Sequence, residues 1–428
     1  MISIFWFRRD LRVEDNTALH YALKLNKPVL PIFILDHDII EELDKYDARV
    51  NFIYERLELI NAFLKRYNSS LLVIKNTALR AWEDLLNSHN VKDVFINEDY
   101  EPYAIQRDDH VSTLLKLRGI NLHLFTDHVL FKPGTILKDD GNPYTVYTPF
   151  KNKWLKHLEV NRPKILSETN YSNFAKLNFS FPSLAELGFL SSKIKVKEFN
   201  LSDLDNYERT RDIPSLNATS FLGPHLRFGT VSIRSIINKL KPADTIFLSE
   251  LIWREFFIQI MVHYPNVINE NFKVKYNGIV WRNNEADFEV WCQGETGYPI
   301  VDAGMRQLNS TGYMHNRVRM ITASFLCKHL LIDWRWGEAY FAEKLLDYEL
   351  ASNNGNWQWV AGTGCDAAPY FRVFSPSAQT LKFDSELKYV KFWVPELNEI
   401  GYKPIIEHKI ARERALYAYK KGLENSNS

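Results

Sequence analysis

The stretch ISIFWF, residues 2–7, is a short apolar run of β-branched and aromatic residues, which is typical of a buried strand. Four similar runs follow: VLPIFIL (29–35), SLLVIK (70–75), VKDVFIN (91–97) and INLHLFT (120–126). Helical spacing of apolar residues separates these runs, at about 15–23, 48–67, 77–88 and 103–118. The alternation predicts an α/β domain over residues 1–130, with a doubly wound, five-stranded, Rossmann-like parallel sheet.

The first glycine of the chain is Gly119, so the first strand-to-helix turn has no GxGxxG motif. That motif cradles the pyrophosphate in dinucleotide-binding sheets of this kind. The sequence therefore argues against a dinucleotide held in that way by the first domain.

The pattern becomes irregular after residue 130. Turn residues are frequent in KPGTILKDDGNPYTVYTPF (132–150), and we interpret residues 131–200 as a connector. Strand signals then fade, while helical spacing appears in segments 249–265, 301–312, 314–332 and 337–350. Residues 201–428 are therefore predicted to form an all-α domain.

Composition limits the class of protein. A chain of 428 residues favours two domains. No apolar run reaches the ~18 residues needed to cross a bilayer, and the arginines of MISIFWFRRDLR follow the apolar run instead of preceding it, unlike a secretory signal. Three scattered cysteines without a CxxC pair argue against a zinc cluster and favour a reducing compartment. We expect a cytoplasmic protein without a metal or a membrane partner.

Two helical motifs place polar residues beside aromatic ones. Glu250 and Trp253 are three residues apart and share a helix face, which suits a ligand with a π-face and polar edges. A surface glutamate over a core tryptophan would give the same spacing. Asn316 and Met320 are four residues apart, and Arg319 is available to a phosphate or to an internal acid from Asp347-Tyr348-Glu349.

Two longer strings carry a resemblance to a known family. They are WCQGETGYPIVDAGMRQLNSTGYMHNRVRMITASFLCKHLLIDWR (291–335) and NNGNWQWVAGTGCDAAPYFRVFSP (353–376). From about Phe5 to Tyr417 the chain resembles the photolyase/cryptochrome flavoproteins, and most closely the microbial class I photolyases that repair cyclobutane pyrimidine dimers.

The resemblance implies one FAD in the helical domain. Arg319 and Asp347 would pair beside the isoalloxazine ring, Asn353 would face its N5, and Glu349 stands where the family usually has aspartate. The residues expected to hold the cofactor are Tyr207, Thr219, Ser220, Phe221, Leu222, Gly223, Arg319, Asp347, Tyr348, Glu349 and Asn353. The family often has serine in place of Gly223.

The resemblance also implies UV-damaged DNA as the partner, with a pyrimidine dimer flipped out of the duplex. Trp253 and Trp359 would pack on the dimer, and a protonated Glu250 would donate a hydrogen bond to it. The residues expected at the DNA are Arg211, Glu250, Trp253, Asn316, Arg317, Met320 and Trp359. Excited reduced FAD would donate an electron to the dimer, after which its two cyclobutane bonds break and the electron returns.

Three tryptophans fall at the family spacing of a chain that reduces the flavin under light: Trp357, Trp334 and Trp281. A second, antenna chromophore is left open, because Tyr103-Ala104 stands where folate-binding members have Asn-Glu. A deazaflavin, a second flavin and no antenna are the alternatives. The resemblance implies a monomer in the bacterial cytosol that associates with DNA.

Two other functions of the same family compete with dimer repair. A cryptochrome-type blue-light photoreceptor would be expected to lose one of Glu250, Trp253, Asn316 and Met320, or to carry a signalling tail. A (6-4) photolyase would be expected to have histidines at positions 316 and 320, where this chain has asparagine and methionine. Both comparisons favour dimer repair.

The segment ASNNGNWQWV, residues 351–360, concentrates three of the expected roles. Residues two apart in a helix point about 200° apart, so Trp357 and Trp359 are predicted to serve separate sites. Trp359 would face the dimer, and Trp357 would face the protein interior, one turn after Asn353.

Overall fold

The computed structural model describes residues 1–25, 27–166, 170–399 and 402–425. Its contacts divide the chain into two units. The first unit comprises Met1–Thr135, Leu155–Phe199 and Phe221–Lys241, and the second comprises Ile136–Trp154, Asn200–Ser220 and Pro242–Ser428.

The first unit is built on a five-stranded parallel sheet. Its strands are β1 (Ile2–Phe7), β2 (Val29–Asp36), β3 (Leu72–Asn76), β4 (Val91–Asn97) and β5 (Asn121–Phe125), in the order β3-β2-β1-β4-β5. The helices between them are α1 (Thr17–Lys24), α2 (His37–Ile40), α3 (Ala48–Lys65), α4 (Ala78–Ser88) and α5 (Pro102–Leu117). Separate apolar cores cover the two faces of the sheet, which explains why β1 and β2 are mostly apolar. The predicted α/β fold class is confirmed.

Helices dominate the rest of the described chain. They are α6 (Tyr147–Val160), α7 (Tyr207–Thr210), α8 (Leu222–Arg227), α9 (Ile233–Lys239), α10 (Thr245–His263), α11 (Glu285–Gln293), α12 (Pro299–Thr311), α13 (Asn316–Ser324), α14 (Trp334–Lys344), α15 (Leu350–Ala361), α16 (Pro376–Phe383), α17 (Lys388–Trp393) and α18 (His408–Asn425). A π-helical turn, Phe325–Leu330, continues α13.

Two predicted segments differ from the structure. The connector is not irregular throughout, because α6 lies within it and buries Tyr147, Phe150 and Trp154 on one side. The helix predicted over 337–350 ends at Lys344, and the chain turns before α15 begins at Leu350. Apolar spacing alone did not locate this break.

Residues 221–241 belong to the first unit, although the sequence placed them in the all-α domain that begins at residue 201. The physical reason is a buried ionic cluster. The guanidinium of Arg234 contacts Oδ1 of Asp15 at 3.2 Å and Oδ1 of Asp127 at 2.8 Å, and all three residues are buried. Buried charges are costly unless they are paired, so these contacts tie the segment to the first unit.

Three helices that carry predicted site residues pack closely because two glycines lack side chains. A Cβ on Gly355 of α15 would lie 2.1 Å from Cδ1 of Phe257 on α10. A Cβ on Gly337 of α14 would lie 2.1 Å from Cη2 of Trp357 on α15. Any larger residue at either position would push α15 away from its neighbours.

The substitution Arg234→Met is expected to destabilise the protein by about 3–5 kcal/mol, because Asp15 and Asp127 would keep buried charges after losing a partner. Urea unfolding of the whole protein, followed by circular dichroism, measures the change in the free energy of unfolding. The control Arg118→Met removes an exposed guanidinium and should change stability by less than about 0.5 kcal/mol. Equal effects of the two substitutions would contradict the assignment.

In acid, the free energies of unfolding of the wild type and of Arg234→Met should differ less. Burial by itself raises the pKa of Asp127, but the guanidinium groups of Arg12 and Arg234 outweigh burial and hold this pKa well below its usual range. A carboxyl with a depressed folded pKa stabilises the protein above its unfolded pKa of about 4, and this stabilisation is lost as the pH falls further.

Candidate functional site

A cavity of about 330 Å³ lies in the second unit, between α10, α13, α15 and the turn 345–349. Many of the predicted site residues line it: Arg211, Glu250, Trp253, Asn316, Arg319, Met320, Asp347, Tyr348, Glu349, Asn353, Trp357 and Trp359. Residues from separate sequence motifs therefore meet at one site, as the sequence predicts for a ligand pocket.

Two guanidinium–carboxylate pairs form one side of the cavity. Nη2 of Arg319 lies 3.1 Å from Oδ1 and 2.9 Å from Oδ2 of Asp347. Nη2 of Arg254 lies 2.8 Å from Oε1 of Glu349. The break between α14 and α15 makes both contacts possible, because it turns the acidic residues towards the arginines. The sequence indicated the first pair and missed Arg254.

The orientation of the Asn353 amide is fixed by Glu338, which sequence reasoning missed. Nδ2 of Asn353 donates to the backbone oxygen of Glu338 at 3.0 Å and to its Oε1 at 2.8 Å. A backbone oxygen can only accept, so the atom facing it must be the NH₂ group. Oδ1 of Asn353 is therefore the amide atom left for a ligand. Burial raises the pKa of the Glu338 carboxyl, which the bond from Asn353 partly offsets.

Trp253 is held by an aromatic stack that the sequence did not reveal. The ring of Tyr147 lies parallel to that of Trp253, with centroids 3.6 Å apart and an interplanar angle of 6°. The hydroxyl of Tyr147 donates to the backbone oxygen of Ser249 at 2.7 Å. Tyr147 comes from the segment predicted to be a connector, and it fixes the plane of one cavity wall.

Two arginines predicted to contact phosphates have partners within the protein. Nη1 of Arg211 lies 2.6 Å from Oε1 of Glu250. Nη2 of Arg317 lies 2.8 Å from Oδ1 of Asp212, and Arg317 is not among the residues that line the cavity. Oε1 of Glu250 accepts a hydrogen bond in this arrangement, and the role of a protonated Glu250 as donor stays a prediction.

Trp357 and Trp359, which are predicted to serve separate sites, both line the one cavity. The residues of α15 that face the cavity run from Ser352 to Val360 and form a broad stripe. At about 100° per residue, the two tryptophans lie at opposite edges of that stripe, roughly 160° apart. Trp357 is nearly fully buried, whereas Trp359 is partly exposed.

Five residues predicted to hold the FAD phosphates do not share one unit. Thr219 and Ser220 end a segment of the second unit, and Phe221, Leu222 and Gly223 begin a segment of the first. Phe221 has a φ of 52°, a left-handed conformation directly before α8. Tyr207, in the second unit, packs edge-on against Phe247.

The three tryptophans of the predicted electron-transfer chain have different surroundings. Trp357 packs edge-on against Trp291, with ring centroids 6.2 Å apart. Nε1 of the buried Trp334 donates to Oδ1 of Asn271 at 2.9 Å. The partly buried Trp281 packs edge-on against Tyr419 at 5.8 Å.

The polar and apolar groups that line the cavity fit a flat heterocycle with polar edges, such as the isoalloxazine of FAD. Arg319 and Asp347 offer a cation and an anion, Asn353 offers an acceptor of fixed orientation, and Trp357 and Phe341 offer apolar surface. Small-molecule sites are commonly of this kind, apolar with a few placed polar groups.

Two further observations concern the described residues only. None of their helices is both long and apolar enough to cross a membrane. Nor do three or more of their His, Cys, Asp or Glu side chains come together in a group that could hold a metal ion.

Comparison with known proteins shows the family. Residues 3–168 match the model of the DNA photolyase domain, and residues 247–422 match the model of the FAD-binding domain of DNA photolyase. The chain is 36% identical to the deoxyribodipyrimidine photo-lyases of Vibrio cholerae, covering 98% of this chain and 99% of the relative, and of Escherichia coli, covering 97% and 98%.

Solved structures agree with this result. A class III photolyase from Agrobacterium tumefaciens superposes with a TM-score of 0.88 and 34% identity, over 99% of this chain and 98% of that one. An archaeal photolyase from Sulfolobus tokodaii, described with two FAD molecules, gives 0.84 and 37%, over 98% and 100%. This chain belongs to the DNA photolyase family, and the prediction of an FAD-binding photolyase is confirmed.

The substitution Glu338→Gln is expected to keep the acceptor for Asn353 while removing a buried ionisable group. A carboxyl whose folded pKa is raised contributes stability below its unfolded pKa, about 4.3, and loses it as the pH rises through the folded pKa. The wild type should therefore lose stability relative to the variant over the range in which the pH rises above about 4.3 and through the raised pKa of Glu338. Urea unfolding of both FAD-loaded proteins across that range measures the difference, and a constant difference would show that Glu338 is not destabilised by burial.

Proposed function

We propose that this member of the photolyase family repairs cyclobutane pyrimidine dimers in DNA in a light-dependent reaction. The observation that carries the proposal is the single cavity in which Trp253, Trp359, Asn316 and Met320 accompany the Arg319–Asp347 pair. Aromatic and amide side chains suit a pair of unstacked bases, and the ion pair with Asn353 suits a flavin ring. One cavity thus has groups for both molecules.

Several residues would hold FAD in this proposal. Arg319, Asp347 and Glu349 would contact the polar edge of the isoalloxazine, beside Tyr348, and Asn353 would present Oδ1 to N5. The residues proposed for the phosphates and ribityl chain are Tyr207, Thr219, Ser220, Phe221, Leu222 and Gly223. Reduced FAD, once excited by light, supplies the electron that opens the cyclobutane ring and that returns afterwards.

The orientation of Asn353 supports a reduced cofactor in particular. Its NH₂ group is engaged twice by Glu338, so only an acceptor faces the cavity. An acceptor stabilises a ring nitrogen that carries a proton, as N5 does in reduced flavin, and gives no hydrogen bond to an unprotonated nitrogen. Asn353 has no acidic proton with which to change that state.

The DNA-side residues would recognise the dimer after it leaves the duplex. Trp253 and Trp359 would pack on the bases, and Met320 would add an apolar contact. The stack with Tyr147 fixes the plane of the Trp253 ring. Glu250 and Asn316 would bond the polar edges of the bases. Arg211 and Arg317 would reach the flanking phosphates after leaving Glu250 and Asp212, which partly exposed ion pairs permit at lower cost than buried ones.

Asn316 and Met320 disfavour repair of (6-4) products. That reaction transfers a hydroxyl group and needs an acid or base, which neither an amide nor a thioether supplies. A cryptochrome-type photoreceptor is the second alternative, and the complete set of Glu250, Trp253, Asn316 and Met320 at the cavity favours repair over signalling.

The proposed setting is a monomer in the bacterial cytosol that acts on damaged DNA. The domain division at residues 1–130, 131–200 and 201–428 stays a prediction beside the two observed units. For the antenna, the Sulfolobus tokodaii relative described with two FAD molecules supports a second flavin as one alternative. An absorption spectrum of the purified protein distinguishes a second flavin from a deazaflavin or from FAD alone.

Parallel assays on two damaged oligonucleotides test the proposed function. The FAD-loaded, reduced protein is illuminated with an oligonucleotide carrying one cyclobutane dimer and with one carrying one (6-4) product. Repair of the first but not the second supports the proposal. Repair of the second alone, or of neither, would exclude dimer repair as the activity.

The substitution Glu250→Ala is expected to keep FAD but to slow dimer repair by about 10–100-fold, the loss of one charged hydrogen bond to the substrate or its transition state. Single-turnover repair under light, with bound FAD measured by absorbance, gives both quantities. The control Glu208→Ala removes an exposed carboxylate of the same unit. Undiminished repair by Glu250→Ala would contradict a contact between Glu250 and the dimer. A loss of FAD in parallel with repair would contradict a role confined to the dimer.

The substitution Trp281→Phe is expected to block photoreduction of oxidised FAD while leaving repair by chemically reduced protein intact, because Trp281 is the outermost proposed electron carrier. Absorbance at the flavin bands during illumination follows the reduction. Trp336→Phe changes another partly buried tryptophan of the same core and should reduce normally. Normal photoreduction of Trp281→Phe would exclude it from the chain.

A further inference from the structure

Lys328 is a buried cation that the proposed reaction does not use. Its side chain has 0% exposure, and Nζ donates to the backbone oxygen of Ala361 at 2.8 Å and of Tyr370 at 3.3 Å. Nζ also lies 3.7 Å from the ring centroid of Tyr419. Among the described residues, no carboxylate pairs with this ammonium. Burial lowers the pKa of Lys328 to about 7, because removing the ammonium from water disfavours its charged form.

A methionine of similar length would avoid that cost, since buried charges can often be replaced by apolar residues without loss of stability. The lysine therefore needs a role other than core packing. Its two carbonyl partners indicate one. Ala361 is the last residue of α15, and Tyr370 lies at the far end of the loop 362–370 that follows it. One ammonium joins both ends of this loop.

The loop 362–370 contacts Trp359 directly and Trp253 through Tyr147. Near its two ends, the backbone N–H groups of Gly362 and Ala368 each lie 3.3 Å from the backbone oxygen of Trp359. In its middle, Oδ2 of Asp366 accepts from the backbone N–H of Tyr147 at 3.1 Å. That N–H opens α6, where a carboxylate satisfies an otherwise unpaired donor and favours the helix dipole.

Tyr147 in turn stacks on Trp253. A continuous set of contacts thus runs from Lys328 through the loop to Trp359 on one side, and through Asp366 and Tyr147 to Trp253 on the other. The hydroxyl of the buried Tyr419 donates to the same Ala361 oxygen at 2.7 Å, which adds a second fixed donor at the end of α15.

We propose that Lys328 is a positioning residue that holds the loop 362–370 and thereby sets the spacing of Trp253 and Trp359 for a pyrimidine dimer. The inference rests on the proposed function, because it assigns these tryptophans to the dimer. Lys328 does not line the cavity proposed for the flavin and the dimer. Its loss should weaken dimer binding without slowing repair of the dimer that is bound.

The test compares the FAD-loaded wild type with Lys328→Met. We expect the Kd for a dimer-containing oligonucleotide to rise about tenfold, while the single-turnover repair rate at saturating DNA stays within twofold. FAD content and thermal stability should be equal to or higher than those of the wild type. Lys116→Met, which replaces an exposed lysine of the first unit, is the matched control and should leave the Kd unchanged.

An unchanged Kd for Lys328→Met would overturn the proposal, as would equal loss of saturated rate and affinity, which indicates general disruption. If that variant does not fold, Asp366→Ala tests the same loop from its other contact and should raise the Kd about threefold. An unchanged Kd there overturns the proposal equally.

Hydrogen exchange without DNA separates this inference from the proposed function. In FAD-loaded Lys328→Met, the amides of residues 362–364 and 368 should exchange at least tenfold faster than in the wild type, and those of β1 should not change. Unchanged exchange in the loop would overturn the role of Lys328. If instead the wild type fails to repair dimers, the proposed function fails, and the exchange result still decides whether Lys328 holds the loop.

Discussion

The close packing of α10 on α15 is the constraint on which the cavity depends. Gly355 allows it, since a Cβ there would lie 2.1 Å from Cδ1 of Phe257. With the helices this close, Glu250 and Trp253 on α10 face Asn353, Trp357 and Trp359 on α15 across one space. An alanine at position 355 would widen that space or force Phe257 to move, and well-packed interiors absorb such insertions poorly.

Much of the site could be predicted because its residues lie in motifs with helical spacing. Glu250 with Trp253, and Asn316 with Met320, share helix faces, and all four line the cavity. The sheet was equally predictable, because strands buried on both faces are nearly continuous apolar runs. In both cases the determining pattern is local in sequence.

What could not be predicted depends on contacts between distant residues. Tyr147 lies more than a hundred positions before Trp253, and no periodicity links the two. Glu338 and Arg254 contact site residues across helix boundaries that apolar spacing did not reveal. The turn 345–349 separates α14 from α15, and it contains no glycine or proline that would mark it in the sequence. Residues 221–241 joined the first unit through charges whose partners, Asp15 and Asp127, lie in other segments.

The ion pairs around the cavity have a consequence for how DNA would bind under the proposed function. Arg211 pairs with Glu250 at 2.6 Å, so the arginine proposed for a phosphate and the carboxylate proposed for the dimer satisfy each other. A phosphate that attracts Arg211 would release Glu250 at the moment a dimer reaches the cavity. Both groups are partly exposed, so water compensates much of the exchange, and the pair is inexpensive to break. Backbone contact and base contact would then be coupled, because each draws on one member of the same ion pair.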